Sequence, residues 1–189
     1  LASDGSTKMW DETVNTNYNN DIFGIGRDDN SELNQRISKS INNNTVLIVS
    51  LDNDFVSSNQ DVARTTAFTN DLSFLTLAHD GGATTTQTTE LDTATYANRI
   101  AREWQVQTES FTQGVYLKFD DGLNSFANMV LLSDTDGDFS TTGDQLVASC
   151  LDANGVSLRE VTFTDEVFLT LATPIAGNKC PTDIQIDRA

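Results

Sequence analysis

The sequence predicts an all-β chain: an antiparallel β-sandwich with long acidic loops and at most short helices. Three observations lead there. Apolar residues cluster in short runs, some alternating with polar residues and some continuous, as strands that are half-buried or buried on both faces require. Turn-forming dipeptides built on Asp, Asn and Gly separate those runs. Helical spacing is suggested only around Asp61–Phe68 and Thr95–Arg102, which leaves no alternation of strand and long helix for an α/β fold.

Taken in order, Thr45–Leu51 (TVLIVSL) is apolar on both faces and reads as a central strand, and Leu72–Ala78 (LSFLTLA) is similar. The Thr-rich stretch 83–95 suits either an edge strand or a long loop. In Trp104–Thr108, Trp104 and Val106 face one way. In Val115–Phe119, Val115, Leu117 and Phe119 share one face and Tyr116 and Lys118 the other. Met129–Leu132, Ser157–Phe163 and Glu166–Leu171 complete the strand set. Turns are expected at Asp80-Gly81-Gly82, Asp120-Asp121-Gly122, Asp136-Gly137-Asp138 and Asn154-Gly155. No Pro/Gly linker divides the chain, so residues 1–172 read as one module. Residues 173–189, which hold both prolines (Pro174 and Pro181), read as an extension toward a following domain.

The chain has 189 residues, 38% of them hydrophobic, enough for a real core. Its charge is lopsided: 28 Asp and Glu against 11 Lys and Arg give a formal −17. That field repels phosphate backbones and anionic lipid, so nucleic acid and membrane insertion are poor partners for it. No run approaches the length of a membrane span. The chain opens at Leu1 without an initiator Met or a signal peptide, and so reads as a segment of a longer protein. Cys150 and Cys180 could form one disulfide in an exported protein, closing a loop of about 30 residues worth about 3 kcal/mol. Two buried thiols are the alternative.

The sharpest chemical signal is Ser133–Gln145, SDTDGDFSTTGDQ. Asp134, Asp136 and Asp138 recur at every second position, and a turn can fold their carboxylates around Ca2+, which takes six to eight oxygens. Asp144 is a candidate late ligand. The loop is not an EF-hand, because Phe139 and Gln145 stand where that motif needs Gly and Glu. A second candidate is Phe23–Lys39, where Gly24 and Gly26 allow tight backbone and Asp28, Asp29 and Glu32 are close enough to share one site. That segment suits a structural calcium, an Arg–Asp network with Arg27 and Arg36, or a ligand-facing loop. It lacks the third Gly and the following apolar helix of a dinucleotide fingerprint. In RIAREW, Trp104 is expected in the core and Arg102 in a salt bridge, with the acidic loop at Asp28 as its partner.

Catalysis has little support. His79 is the single histidine and has no cysteine or second histidine beside it for a zinc site. No G-x-S-x-G elbow occurs.

Four blocks carry a resemblance: Leu1–Asp11 (LASDGSTKMWD), Tyr18–Asn42 (YNNDIFGIGRDDNSELNQRISKSIN), Arg102–Gln107 (REWQVQ) and Val130–Phe139 (VLLSDTDGDF). Together they resemble an uncharacterised extracellular β-domain family, with the GIGRDD…LNQ…SKS block the most distinctive. Its members occur in very large calcium-dependent, repeats-in-toxin type adhesins and in secreted multidomain proteins of Gram-negative bacteria. The resemblance implies a β-rich module at the bacterial cell surface or in a secreted protein, set in calcium-rich surroundings, with Asp134, Asp136 and Asp138 on the family's acidic turn. It implies neighbouring domains of the same long chain as partners, and a glycan or protein on a target surface as a ligand. The expectation is a non-catalytic, monomeric, calcium-stabilised adhesin module that contributes to attachment. A spacer that positions a neighbouring binding domain is the first alternative, and a secreted hydrolase the second.

Overall fold

The structure, a computed structural model, describes residues 1–42, 46–119, 129–140 and 146–175. Among the described residues twelve strands follow one another: β1 (Asn20–Asp28), β2 (Leu33–Gln35), β3 (Ile37–Lys39), β4 (Leu47–Ser50), β5 (Ser73–His79), β6 (Thr86–Gln87), β7 (Tyr96–Ile100), β8 (Trp104–Glu109), β9 (Tyr116–Phe119), β10 (Val130–Asp134), β11 (Leu146–Cys150) and β12 (Val167–Pro174). The one helical element among the described residues is a 3-10 turn at Asp29–Ser31. Nine strands form a large antiparallel sheet in the order β11-β10-β12-β8-β5-β1-β2, with β7 also paired to β12 and β6 to β7. The other three form a small antiparallel sheet, β3-β4-β9. The all-β sandwich expected from the sequence is the architecture found.

Side-chain alternation builds the space between the sheets. Phe23 and Ile25 on β1, Leu75 and Leu77 on β5, Trp104 and Val106 on β8, and Leu169 and Leu171 on β12 all point to the small sheet. Leu47 and Val49 on β4 and Leu117 and Phe119 on β9 meet them. Trp104 and Phe119 touch edge to face across the layers at 5.6 Å between ring centres. The expected pairing of Trp104 with Val106 and the shared face of Val115, Leu117 and Phe119 therefore hold. The opposite face of the large sheet carries a second, smaller core. There Val130, Leu132, Cys150 and Ala172 are covered by Leu91, Tyr96 and Phe139. This second core explains why β10 and β12 are apolar on both faces.

Several elements differ from expectation. The GIG segment, read as tight loop backbone, is the middle of β1. A Cβ on Gly24 would stand 2.4 Å from the Leu75 carbonyl oxygen, and one on Gly26 would stand 2.4 Å from the Phe74 ring. Both glycines thus permit close approach of β5 rather than a turn. Thr95–Arg102 holds β7 rather than a helix. Asp61–Phe68 is an irregular loop, because the buried Arg64 guanidinium gathers it: Arg64 donates to the carbonyls of Asp54, Ser57 and Ser58 and pairs with Asp52 at 2.5 Å. Ser157–Phe163 joins the sheets only through isolated bridges, Ser157 to Leu151 and Val161 to Val115. The stretch 83–95 is mostly loop with the short β6 in it.

Among the described residues β11 is an edge strand. Its register shifts at Ala148, and there the Arg159 guanidinium donates to two consecutive carbonyls, Val147 and Ala148, at 2.9 Å each. Cys150 closes β11 and is buried in the second core, while Cys180 lies outside the described residues. The expected Cys150–Cys180 disulfide therefore falls on a residue outside the described ones, and no free cysteine occurs among the described residues. The Asp120-Asp121-Gly122 turn and Pro181 also lie outside them.

Candidate functional site: the acidic turn after β10

β10 delivers Asp134 to the rim of the large sheet with only 1% of its surface exposed. One carboxylate oxygen, Oδ1, accepts from the backbone N–H of Asp136 at 2.9 Å and of Gly137 at 3.0 Å. The turn that brings those donors round needs Gly137 at φ +85°, which glycine adopts without a Cβ clash. Asp136 Oδ1 accepts in turn from the Asp138 N–H, and Asp138 Oδ1 from the Ser140 N–H. Phe139 then plunges fully buried into the second core. The Arg99 guanidinium lies 5.4 Å from its ring centre.

Asp134 Oδ2 has no hydrogen-bond partner. Among the buried partnerless side-chain atoms of the described residues it is the one carboxylate oxygen. Burial pushes the Asp134 carboxyl above its ordinary range, and the Asp136 carboxyl beside it pushes in the same direction. Asp138 is the reverse case: its Ser140 contacts hold it below the usual range. Asp144 lies outside the described residues. Among the described residues no three or more His, Cys, Asp and Glu side chains gather as a metal-holding group.

The second sequence candidate is placed differently. Asp28 ends β1 with its carboxylate taken by the Ser3 N–H at 2.8 Å, the Ser3 hydroxyl and the Ser31 N–H. Asp29 forms a two-point pair with Arg27, at 2.7 Å from both Nε and Nη2. Glu32 is exposed at the end of the 3-10 turn, in the left-handed region at φ +58°. The three carboxylates do not gather into one site among the described residues. Arg36 joins none of them and donates instead to the carbonyls of Arg64 and Asn59. Arg102 does not reach Asp28 either; its Nε donates to the Gly82 carbonyl, with Asp21 and Asp80 the nearby acids.

Beneath the acidic turn lies a network missed at the sequence level. Arg99 is fully buried on β7 and pairs with Glu103 at 2.7 Å and Glu90 at 2.9 Å. Glu103, itself buried, accepts from the Tyr18 hydroxyl at 2.9 Å. Burial raises the Glu103 carboxyl, and Arg99 and Tyr18 oppose that rise. Burial, reinforced by Glu103, keeps the Tyr18 phenol protonated. The spacing of Arg99 and Glu103 was the available signal. His79 is engaged on both ring nitrogens: Nε2 faces Asp21 at 3.0 Å and Nδ1 accepts from the Gly81 N–H at 2.9 Å. The crevice beside it holds about 10 Å³.

A groove of about 450 Å³ opens next to the acidic turn. Asp134, Thr135, Val147 and Ala148 of β11, Arg159 and Thr162 are among the residues that line it.

Fold and site together define a two-layer antiparallel β-sandwich domain with its unsatisfied charge at one rim. Residues 1–167 match the family described as Domain of unknown function (DUF8202), and the chain belongs to that family. No curated protein and no solved structure matches it.

Proposed function

We propose that this domain is a non-catalytic extracellular module of a long bacterial surface protein of the adhesin type, stabilised by Ca2+ and contributing to attachment. The observation that carries the reading is the open groove beside Asp134. Its hydroxyls, acids and Arg159 among apolar lining residues suit a polar ligand such as a glycan or a peptide loop. The −17 charge supports life in a cation-rich medium, where counter-ions offset self-repulsion. The double engagement of His79 supports a structural rather than a catalytic histidine, since neither nitrogen is open to a substrate.

The test is binding of the purified chain to glycan and protein arrays in calcium, compared with a Thr162→Arg variant that fills the groove mouth. Saturable binding lost in the variant supports the reading. Binding retained by the variant moves the ligand to another surface. A second reading, a spacer that only positions a neighbouring domain, is favoured by the internal locking of Arg64 and Arg99. It predicts no binding by either protein alongside a normal melting temperature.

A further inference from the structure

We propose that Asp134 and Asp136 hold one hydrated divalent cation, Ca2+ in a calcium-rich medium, and that Asp138 is not one of its ligands. The inference rests on the calcium-stabilised reading above and gives that ion its place. Asp134 Oδ2 is buried and has no donor, while its sister oxygen is saturated by two backbone N–H groups. Asp136 is the next acid of the same turn, held against Asp134 by its own N–H on Asp134 Oδ1 at 2.9 Å. No cationic side chain makes an ion pair with either acid among the described residues. Arg99 is committed to Glu90, Glu103 and the Thr89 carbonyl, and Arg159 to the β11 carbonyls. A buried anion without a counter-charge is expensive, and a cation drawn in from solvent removes the cost.

The donor set also fixes the kind of site. Asp136 is exposed, so water completes the coordination shell. Two carboxylates with several waters make a weak site, with a dissociation constant on the order of 10⁻⁴–10⁻³ M, the range of extracellular calcium modules. Asp138 is excluded because Ser140 donates to its carboxylate from both backbone N–H and hydroxyl, whereas Asp136 accepts a single backbone N–H.

The experiment measures the melting temperature of the whole chain in CaCl2 and in chelator, with calorimetric titration of CaCl2, for wild type, Asp134→Asn, Asp136→Asn and Asp138→Asn. Calcium at ten times its dissociation constant should raise the wild-type melting temperature by about 3–6 °C. That rise and the titration heat should vanish in Asp134→Asn and Asp136→Asn and persist in Asp138→Asn. In chelator, Asp134→Asn should melt no lower than wild type, because it removes an uncompensated charge. Because Asp136 is exposed, its variant keeps the test decisive if Asp134→Asn fails to fold. A calcium response surviving in Asp136→Asn overturns this site while leaving the calcium-stabilised reading intact. Loss of the response in Asp138→Asn overturns the two-carboxylate assignment. A wild type indifferent to calcium overturns both the site and the reading.

Discussion

The two acidic segments, Asp28–Glu32 and Asp134–Asp138, look alike in composition and differ in what surrounds each oxygen. In the first, Ser3, Ser31 and Arg27 supply donors to Asp28 and Asp29, and the charge is answered from within the chain. In the second, backbone donors answer one oxygen of Asp134 and nothing answers the other. Counting carboxylates therefore locates acidic turns, whereas counting donors per oxygen separates a finished network from a site that wants a ligand.

The largest break in this comparison should come from Arg99, which supports the second segment from below. Arg99→Met strips Glu103 of its buried counter-charge and Phe139 of its cation. A loss of about 3–5 kcal/mol is expected in chemical denaturation, and an unchanged midpoint would show that Glu103 is satisfied without it. Next comes the strand that carries the first segment. Gly24→Ala drives a Cβ into the Leu75 carbonyl and should cost about 1–3 kcal/mol by the same measurement. A smaller effect is expected from Asp28→Ala, which orphans the Ser3 and Ser31 donors. Its drop in melting temperature should be the same in calcium and in chelator, and a calcium-dependent drop would erase the contrast between the segments.

The finest test uses pH. Asp54 is held at about 2 by the Ser57 side chain, the Ser57 and Val56 N–H groups and the nearby Arg64, against 3.8 when free. A carboxyl lowered on folding contributes stability that is complete above about pH 4 and fades as pH falls through about 2. The melting-temperature gap between wild type and Asp54→Asn should therefore close across that window. A gap that stays constant would place the Asp54 effect outside its charge.

How much of this was legible follows from which physical signal each residue carries. Leu72–Ala78 and Val115–Phe119 were readable because burial on two faces, or on one, writes itself as a continuous or alternating apolar run. β1 was not, because Gly24 and Gly26 look like turn residues until β5 is set against them. Thr95–Arg102 carries a weak helical spacing and holds β7 instead; Arg99 and Glu103, four apart, meet where the chain turns from β7 into β8. At the acidic turn, the alternation of Asp134, Asp136 and Asp138 was legible. The commitment of Asp138 to Ser140 was not, since it depends on turn geometry rather than residue type. The separated blocks LASDG, GRDD and REWQVQ prove to touch: Ser3 caps Asp28, and Gln107 accepts from the Asp11 backbone N–H and the Asn15 side chain. Much of that shared pattern is framework.

The grip of Arg159 on β11 bears on how the domain meets further copies of itself. An open sheet edge is a template on which another strand can zip. With one guanidinium occupying the Val147 and Ala148 carbonyls at a shift in register, that template is interrupted midway along the strand. Copies of the domain brought to high local concentration would then meet as separate bodies rather than fuse into a continuous ribbon.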